Sequence, residues 1–260
     1  MLFQIESFLS LLLLGHLGHT TGEELAATSQ SASTVDFSPW QGMYQRDKYA
    51  RDRVMKSARL LLPYLSQDDK NPSTILDVGC FTWEARKYFP RNVKYIGIDQ
   101  KAYHKETRVM DLNHGFEPIA CSHALCLETL EHLLDPLDTL ESLYKSLSDS
   151  GKLVVSLPNE STLFHRIRCL FGTIDAGCFS PEGKHLHLPN LKESRKFLSQ
   201  LFEIENQLFY ISPSATGSQQ EWMGRILKLI PDAIHQFLAD RIPSLFARGF
   251  IFLLKKRSTL

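Results

Sequence analysis

Two acidic residues, each near the end of a short apolar run, are the best candidates for chemistry in this chain of 260 residues. Residues 74–76 begin a predicted strand that carries Asp77 and runs into Gly79 and Cys80, and a second predicted strand ends in Asp99. A glycine turn lets a ligand approach backbone N–H groups closely, and a carboxylate at the end of the next strand can accept both hydroxyls of a ribose. The pattern predicts an adenosine-type cofactor; the alternative is that Asp99 only caps a following helix.

Strands and helices alternate around these residues. The periodicity predicts helices at 49–65, 84–89 and 135–147 and strands at 74–78, 95–98, 123–127 and 151–157, with a loop that reaches Asp111 and Leu112. Further elements are predicted as helices at 163–171 and 191–201 and strands at 202–209 and 249–254, with an irregular stretch at 172–183. This alternation is typical of a Rossmann-like, doubly wound α/β fold with a mostly parallel sheet.

We divide the chain into an N-terminal extension and linker, residues 1–39, and one domain, residues 40–260. The apolar run at 8–14 is too short to span a bilayer and predicts an extra helix or a misassigned start, or else a signal or peripheral anchor. An insertion at about 214–246 carries apolar residues between 222 and 238 that fit an amphipathic helix broken near Pro231. It predicts a packing or lid helix, or a contact of 222–246 with a membrane surface or a partner protein.

Composition restricts the possible partners and the compartment. The chain has 29 basic and 29 acidic residues, so its net charge does not favour nucleic acid as a partner, and none is expected. None of its five cysteines lies in a C-x-x-C arrangement, and we expect reduced thiols in a cytoplasmic protein.

Five sequence motifs, in order, carry a family resemblance. They are the segments 75–80 (ILDVGC), 95–99 (YIGID), 111–112 (DL), 126–136 (CLETLEHLLDP) and 151–159 (GKLVVSLPN). Together they resemble class I S-adenosylmethionine-dependent methyltransferases over roughly residues 44–210, and the local match is best to the branch of MetW-type proteins and related small-metabolite or glycan methyltransferases. The resemblance implies a seven-stranded sheet whose last strand is antiparallel, S-adenosylmethionine as cofactor, and a small-molecule or lipid- or glycan-precursor acceptor.

The resemblance also implies roles for individual residues. Asp77 and Gly79 would shape the pocket for the methionine part of the cofactor, Asp99 would bind the ribose, and Asp111 with Leu112 would flank the adenine. The segment from Glu128 to His132 would line the floor beside the sulfonium. The full cofactor-binding set is Asp77, Gly79, Cys80, Asp99, Gln100, Asp111, Leu112, Glu128 and Thr129.

Histidines are the candidate general bases, since imidazole titrates near neutrality. His132 and His187 are predicted to be catalytic, and His185 is a further candidate; the alternatives are that His132 caps or packs its helix and that the other two lie in a surface loop. A metal site made of His185, His187, Cys178 and His165 would have irregular spacing, and no metal site is predicted.

The glycine loop departs from the family pattern. Phe81 and Trp83 stand where the family usually has glycines, and Ser122-His123 stands where many relatives have Phe-Asp. If both rings point away, the cofactor site stays open; if not, cofactor binding is weakened or lost. The second case predicts a catalytically impaired binding or regulatory protein. A third hypothesis, a nicotinamide-dependent oxidoreductase, fits the fold but is disfavoured, because the G-x-G-x-x-G turn is missing and residues 128–136 have no counterpart there.

Overall fold

Seven strands form one mixed sheet in the computed structural model, which describes residues 47–172, 185–211 and 231–258. The strand order is β3-β2-β1-β4-β5-β7-β6; the first five strands are parallel, and β7 is antiparallel to both β5 and β6. The predicted Rossmann-like sheet with an antiparallel last strand is confirmed. The strands are β1 (Thr74–Val78), β2 (Lys94–Asp99), β3 (Arg108–Val109), β4 (Cys121–Leu127), β5 (Leu147–Pro158), β6 (Phe202–Tyr210) and β7 (Gly249–Lys256).

Two of the longer helices begin at aspartates that cap them. Asp47 accepts hydrogen bonds from Tyr49 N and Ala50 N at the start of the first helix, and Asp135 does the same for Leu137 N and Asp138 N, with Pro136 in the first turn. The α-helices are α1 (Lys48–Leu61), α2 (Pro136–Ser146), α3 (Leu163–Leu170), α4 (Leu191–Leu198), α5 (Asp232–Arg241) and α6 (Pro243–Phe246). Short 3-10 helices are Leu62–Tyr64, Glu84–Tyr88 and Leu130–His132.

The core lies on both faces of the sheet. Leu76 and Val78 of β1 belong to one buried apolar cluster, whereas Ile75 belongs to the other, which also contains Val54 and Leu61 of α1. Successive side chains of a strand point to opposite faces, so both clusters draw on the same central strands. The central strands are apolar on both sides because both of their faces are covered.

Several predicted elements differ from the structure in type or extent. The first helix ends at Leu61 rather than residue 65, since Pro63 cannot donate to the helical ladder and a 3-10 turn replaces it. The helix predicted at 84–89 is a 3-10 helix over residues 84–88. The predicted loop after β2 contains the two-residue strand β3, whose side chains are exposed and give no burial pattern.

Other predictions fall outside the described residues. These are the N-terminal extension and linker with the apolar run at 8–14, the part of the insertion from 214 to 230, and most of the irregular stretch at 172–183. Within the described part of the insertion, α5 begins directly after Pro231, where the helix break was predicted. Among the helices that the structure describes, none is both long and apolar enough to cross a membrane.

Candidate functional site

The carboxyl ends of three neighbouring strands bring the predicted site residues to one edge of the sheet. Val78 of β1 is paired with Ile98 of β2 and with Cys126 of β4, so the residues that follow each strand lie at the same level. The backbone N–H groups of Gly79 and Cys80 both donate to the carbonyl of Ile98, at 2.9 and 3.2 Å. The loop after β1 is therefore folded back over the end of β2, which is where ligands bind in open α/β sheets.

Asp99 places a carboxylate at this edge. It accepts hydrogen bonds from Phe81 N at 2.9 Å and from Lys101 N at 3.2 Å. Burial raises the pKa of Asp99, and backbone hydrogen bonds oppose that rise. An ionised carboxylate has about four acceptor positions, so Asp99 can accept further hydrogen bonds from a ligand. No helix occurs at residues 100–107, so Asp99 does not cap one.

The loop after Gly79 keeps a left-handed backbone without the usual glycines. Gly79 has φ of 74°, and Phe81 and Trp83 have φ of 45° and 61°. A residue with a side chain pays roughly 1–2 kcal/mol for this conformation. Both positions thus have a positive φ although neither is a glycine, at a cost in backbone strain.

The rings of Phe81 and Trp83 lie in different surroundings. The indole of Trp83 is 8% exposed, packs 5.2 Å from the Tyr95 ring, and donates from Nε1 to Thr107 Oγ1 at 3.0 Å. A Cβ on Gly97 would lie 2.6 Å from that Nε1, and the ring stacks 4.5 Å from that of His104, so the indole lies against β2 and the loop that follows it. The ring of Phe81 is half-buried and packs 4.5 Å from that of Tyr103 in the loop after β2.

Three of the predicted cofactor residues support the loop from beneath. Thr129 is buried, and its Oγ1 donates toward the carbonyls of Leu127 and Val78 at 3.1 and 3.3 Å. Asp77 is buried and accepts a hydrogen bond from the hydroxyl of Tyr95; burial raises its pKa to about 7. Cys80 is also buried. These side chains shape the turn and are not open to solvent.

The strand β3 carries the next predicted pair to the same edge. Asp99 is paired with Val109, and Met110 N donates to the carbonyl of Asp99 at 2.9 Å. Asp111 then lies exposed with its Oδ1 accepting from Asn113 N, while Leu112 is buried. Gln100 is exposed. The structure thus places Gly79, Asp99, Gln100 and Asp111 at one edge of the sheet.

Glu128 lies in a polar network that the sequence analysis did not identify. Its φ is 51°, and its Oε1 accepts from Ser156 Oγ at 3.1 Å and Tyr210 OH at 3.0 Å. The other oxygen forms an ion pair with Arg53 of α1 at 3.4 Å. The three partners come from separate elements of the chain, and no local sequence motif predicts their contacts with Glu128.

The histidines form a second cluster next to the 3-10 helix at 130–132. Nε2 of His187 donates to the carbonyl of Leu133 at 2.9 Å, and Leu186 N and His187 N donate to the carbonyl of Glu131 at 2.8 and 3.1 Å. The rings of His132 and His185 lie 4.8 Å apart. The sequence analysis named all three histidines but not the acidic residues among them.

Two glutamates surround these rings. Glu131 is 1% exposed; burial and then Glu128 raise its pKa. Nδ1 of His185 lies 2.6 Å from Glu160 Oε1, and Nε2 of His165 forms an ion pair with Glu160 Oε2 at 3.4 Å. Burial would raise the pKa of Glu160, but the hydrogen bond and charge of His185 outweigh it and lower that pKa.

Comparison with known proteins gives one family and several solved structures. Residues 46–203, more than half of the chain, match the model of a family described as a methyltransferase domain. A comparison with curated proteins finds no match.

Three solved structures share the fold. One is a SAM-dependent methyltransferase from Archaeoglobus fulgidus, with 16% identity over 85% of this chain and 100% of that one and a TM-score of 0.52. The N-methyltransferase NodS from Bradyrhizobium japonicum, in complex with S-adenosylhomocysteine, has 11% identity over 85% and 92%, with a TM-score of 0.52. Magnesium protoporphyrin IX methyltransferase from Synechocystis, with SAH bound, has 12% identity over 86% and 95%, with a TM-score of 0.54.

Proposed function

This chain belongs to the class I methyltransferase family, whose cofactor is S-adenosylmethionine, and we propose that it transfers a methyl group from that cofactor to a small-molecule or lipid- or glycan-precursor acceptor. The observation that carries the proposal is the placement of Asp99 beside the left-handed turn at Gly79, at the shared edge of three parallel strands. The MetW-type branch stays a prediction.

The residues present fit this cofactor. Asp99 keeps acceptor capacity for ribose hydroxyls after its two backbone hydrogen bonds. Gly79 has no side chain above the turn, and Thr129 fills the space where a Cβ would stand. Trp83 points back over β2, which supports the reading that its ring leaves the site open. Asp111, Leu112 and Gln100 complete the set that would hold the adenosine.

For methyl transfer, the main task of the protein is to position the acceptor and the cofactor. S-adenosylmethionine supplies an electrophilic methyl group on a sulfonium. Glu128 and its neighbours would orient the acceptor for an in-line displacement, and a general base is needed only if the acceptor is protonated. We assign that role to His132, whose side chain is 35% exposed. Because Nε2 of His187 donates to a backbone carbonyl, we assign His187 to positioning of its segment rather than to catalysis.

An acceptor screen tests the substrate class. The purified protein is incubated with tritium-labelled S-adenosylmethionine and a fractionated cell extract, with Asp99→Ala as the inactive control. Label that enters the small-molecule or lipid fraction with the wild type only would support the proposal. Label that enters only protein or nucleic acid would contradict the acceptor class.

The strained loop favours one competing function. Phe81 and Trp83 both hold positive φ at a cost that a fully active site would not require, and the ring of Phe81 lies over the segment that follows Asp99. If wild-type protein binds no S-adenosylhomocysteine, the chain is a binding or regulatory protein with a methyltransferase fold. A stable partner recovered by pull-down with that protein would then support the regulatory role.

Contacts of this protein with a membrane or a partner protein also stay predictions, as does its location in the cell. Ile234 and Phe237 of α5 are 52% and 56% exposed, which supports a contact of the insertion with a partner protein or a membrane surface. Three described cysteines, Cys80, Cys121 and Cys126, are buried free thiols, which is consistent with the proposed cytoplasmic location.

A further inference from the structure

The carboxylate of Glu131 is buried without compensation. The residue is 1% exposed, and among the described residues no other group donates a hydrogen bond to either of its oxygens. A buried carboxylate is stable only when it is neutralised, paired or coordinated. Protonation would neutralise the carboxyl, but among the described residues its oxygens would still have no hydrogen-bond partner, so the side chain points to a group that binds there.

Two imidazole nitrogens face the same carboxylate oxygen. Nε2 of His132 and Nε2 of His185 each lie 3.9 Å from Glu131 Oε1, which is too far for a hydrogen bond. One ligand atom from each of the three residues can be chosen so that all lie within 4.8 Å of one another. With bonds of about 2.0–2.2 Å, two ligands of one metal ion are separated by roughly 3 to 4.3 Å. The two distances of 3.9 Å lie within this range. The longest separation in the set, within 4.8 Å, would have to shorten by at most about 0.5 Å for all three atoms to bind one ion.

The surrounding residues orient His185 as a metal ligand. A carboxylate can only accept, so when Glu160 is ionised the hydrogen bond of 2.6 Å places a proton on Nδ1 of His185. In the neutral ring this leaves the lone pair on Nε2, the nitrogen that faces Glu131. A carboxylate behind a histidine in this way is the usual outer support of a metal-bound imidazole.

The segment that carries His185 is also held in place. The backbone N–H groups of Leu186 and His187 donate to the carbonyl of Glu131, and Nε2 of His187 donates to the carbonyl of Leu133. These bonds fasten the segment directly to the turn that carries Glu131 and His132. The three proposed ligand residues are thus held near one another by hydrogen bonds within the protein, which form without a metal ion.

We propose that Glu131, His132 and His185 bind a divalent first-row transition metal ion, with Glu160 as the outer partner of His185. Two imidazoles and one carboxylate suit Zn²⁺, Co²⁺, Fe²⁺ or Mn²⁺, whereas Ca²⁺ and Mg²⁺ prefer sets made of oxygen only. Three protein ligands leave at least one coordination position open for water or another ligand. This differs from the expectation of the sequence analysis, which predicted no metal site and considered a different set of residues. An imidazole bound to an ion cannot accept a proton, so the role of His132 as a general base belongs to the metal-free protein.

This set of ligand residues could not be recognised in the sequence, because the third residue is distant from the other two along the chain. Glu131 and His132 are adjacent, and His185 comes from a segment that reaches them only through tertiary hydrogen bonds. The proposal does not depend on the methyltransferase assignment, because metal binding is measured without S-adenosylmethionine or an acceptor.

The test is a titration of chelator-treated protein with ZnCl₂ by calorimetry, followed by metal analysis after dialysis. We expect one Zn²⁺ per chain for the wild type and for His114→Ala, a control at an exposed histidine outside the cluster. His185→Ala should weaken binding by at least about 100-fold, and Glu160→Gln should weaken it by about 10-fold to 100-fold, because it removes only the outer support.

A second readout separates binding from misfolding. Zn²⁺ should raise the thermal midpoint of the wild type and of His114→Ala but not that of His185→Ala. Should His185→Ala fail to fold, His132→Ala replaces it. A wild type that binds no Zn²⁺, or His185→Ala and His132→Ala variants that bind it as tightly as the wild type, would overturn the proposal.

Discussion

Asp99 accepts a hydrogen bond of 2.9 Å from the backbone N–H of Phe81, so the carboxylate at the end of β2 and the turn after β1 are positioned by each other. Gly79 N and Cys80 N add two bonds to the carbonyl of Ile98 on the same strand. The turn is thus held against β2 at three points. The orientation of Asp99, the proposed ribose-binding residue, therefore depends on the conformation of the loop after β1. Substitutions in that loop should change the position of the Asp99 carboxylate.

Replacement of Gly79 by alanine should destabilise the protein strongly. A Cβ there would lie 2.1 Å from Thr129 Oγ1, and φ is 74°. Gly172→Ala is the matched control, because its φ is 64° but no atom of the described residues lies within 4 Å of the added Cβ. The control should lose only the conformational cost of roughly 1–2 kcal/mol, and Gly79→Ala clearly more. Urea unfolding measures both, and equal losses would show that Thr129 does not obstruct position 79.

Phe81→Gly should leave stability almost unchanged. The substitution relieves the left-handed backbone strain of roughly 1–2 kcal/mol. It also loses an aromatic contact with Tyr103 of about 1 kcal/mol and adds the entropic cost of glycine. The net change in the free energy of unfolding should therefore stay within about 1 kcal/mol. Affinity for S-adenosylhomocysteine should be equal or higher. Weaker binding by the variant would mean that the Phe81 ring is part of the cofactor site.

Trp83→Gly should behave differently although its backbone is equally left-handed. The indole is 8% exposed and hydrogen-bonded to Thr107, so its removal leaves a cavity beside β2. Loss of a buried aromatic ring costs about 3–5 kcal/mol, which exceeds the strain relieved. We expect a net loss of about 1–4 kcal/mol in urea unfolding. A stability equal to that of Phe81→Gly would contradict the packing described for Trp83.

The fold could be predicted where a single strand or helix has a recognisable sequence pattern of its own. β1, β2 and β4 are apolar runs that end at polar or glycine residues, and Asp135-Pro136 marks the start of α2. β3 could not be found, because its two residues, Arg108 and Val109, are exposed. A helix was predicted at 84–89, but its 3-10 form and the left-handed backbone of Trp83 before it could not be predicted from the sequence.

The site was predictable only where its residues follow the strands directly. Asp99 and Gly79 were found in this way. Arg53 and Tyr210 reach Glu128 from α1 and β6, and His185 reaches Glu131 through backbone hydrogen bonds of its own segment. Such contacts are set by how distant segments pack, and neither hydrophobic periodicity nor motif spacing reports them.

Asp77 predicts a pH dependence of stability. Its pKa is raised by burial to about 7 from the ordinary value of 3.8, so between these values the folded protein holds a proton that the unfolded chain has released. The free energy of unfolding should therefore fall as pH rises through this window, by an amount on the order of a few kcal/mol. In Asp77→Asn this fall should be smaller.

Urea unfolding of both proteins at several pH values between 4 and 8 measures the difference. Asp149→Asn, at a fully exposed carboxylate, is the control and should follow the wild type. Wild-type and Asp77→Asn curves that run parallel across the window would show that the Asp77 carboxyl titrates normally.

The most direct test of the central claim is calorimetric titration with S-adenosylhomocysteine of the wild type, Asp99→Asn and Asp149→Asn. If Asp99 binds the ribose, the wild type and Asp149→Asn bind with equal affinity, and Asp99→Asn loses at least about ten-fold, since it gives up charged hydrogen bonds worth about 1.5–3 kcal/mol each. No binding by the wild type, or equal binding by all three proteins, would contradict the account.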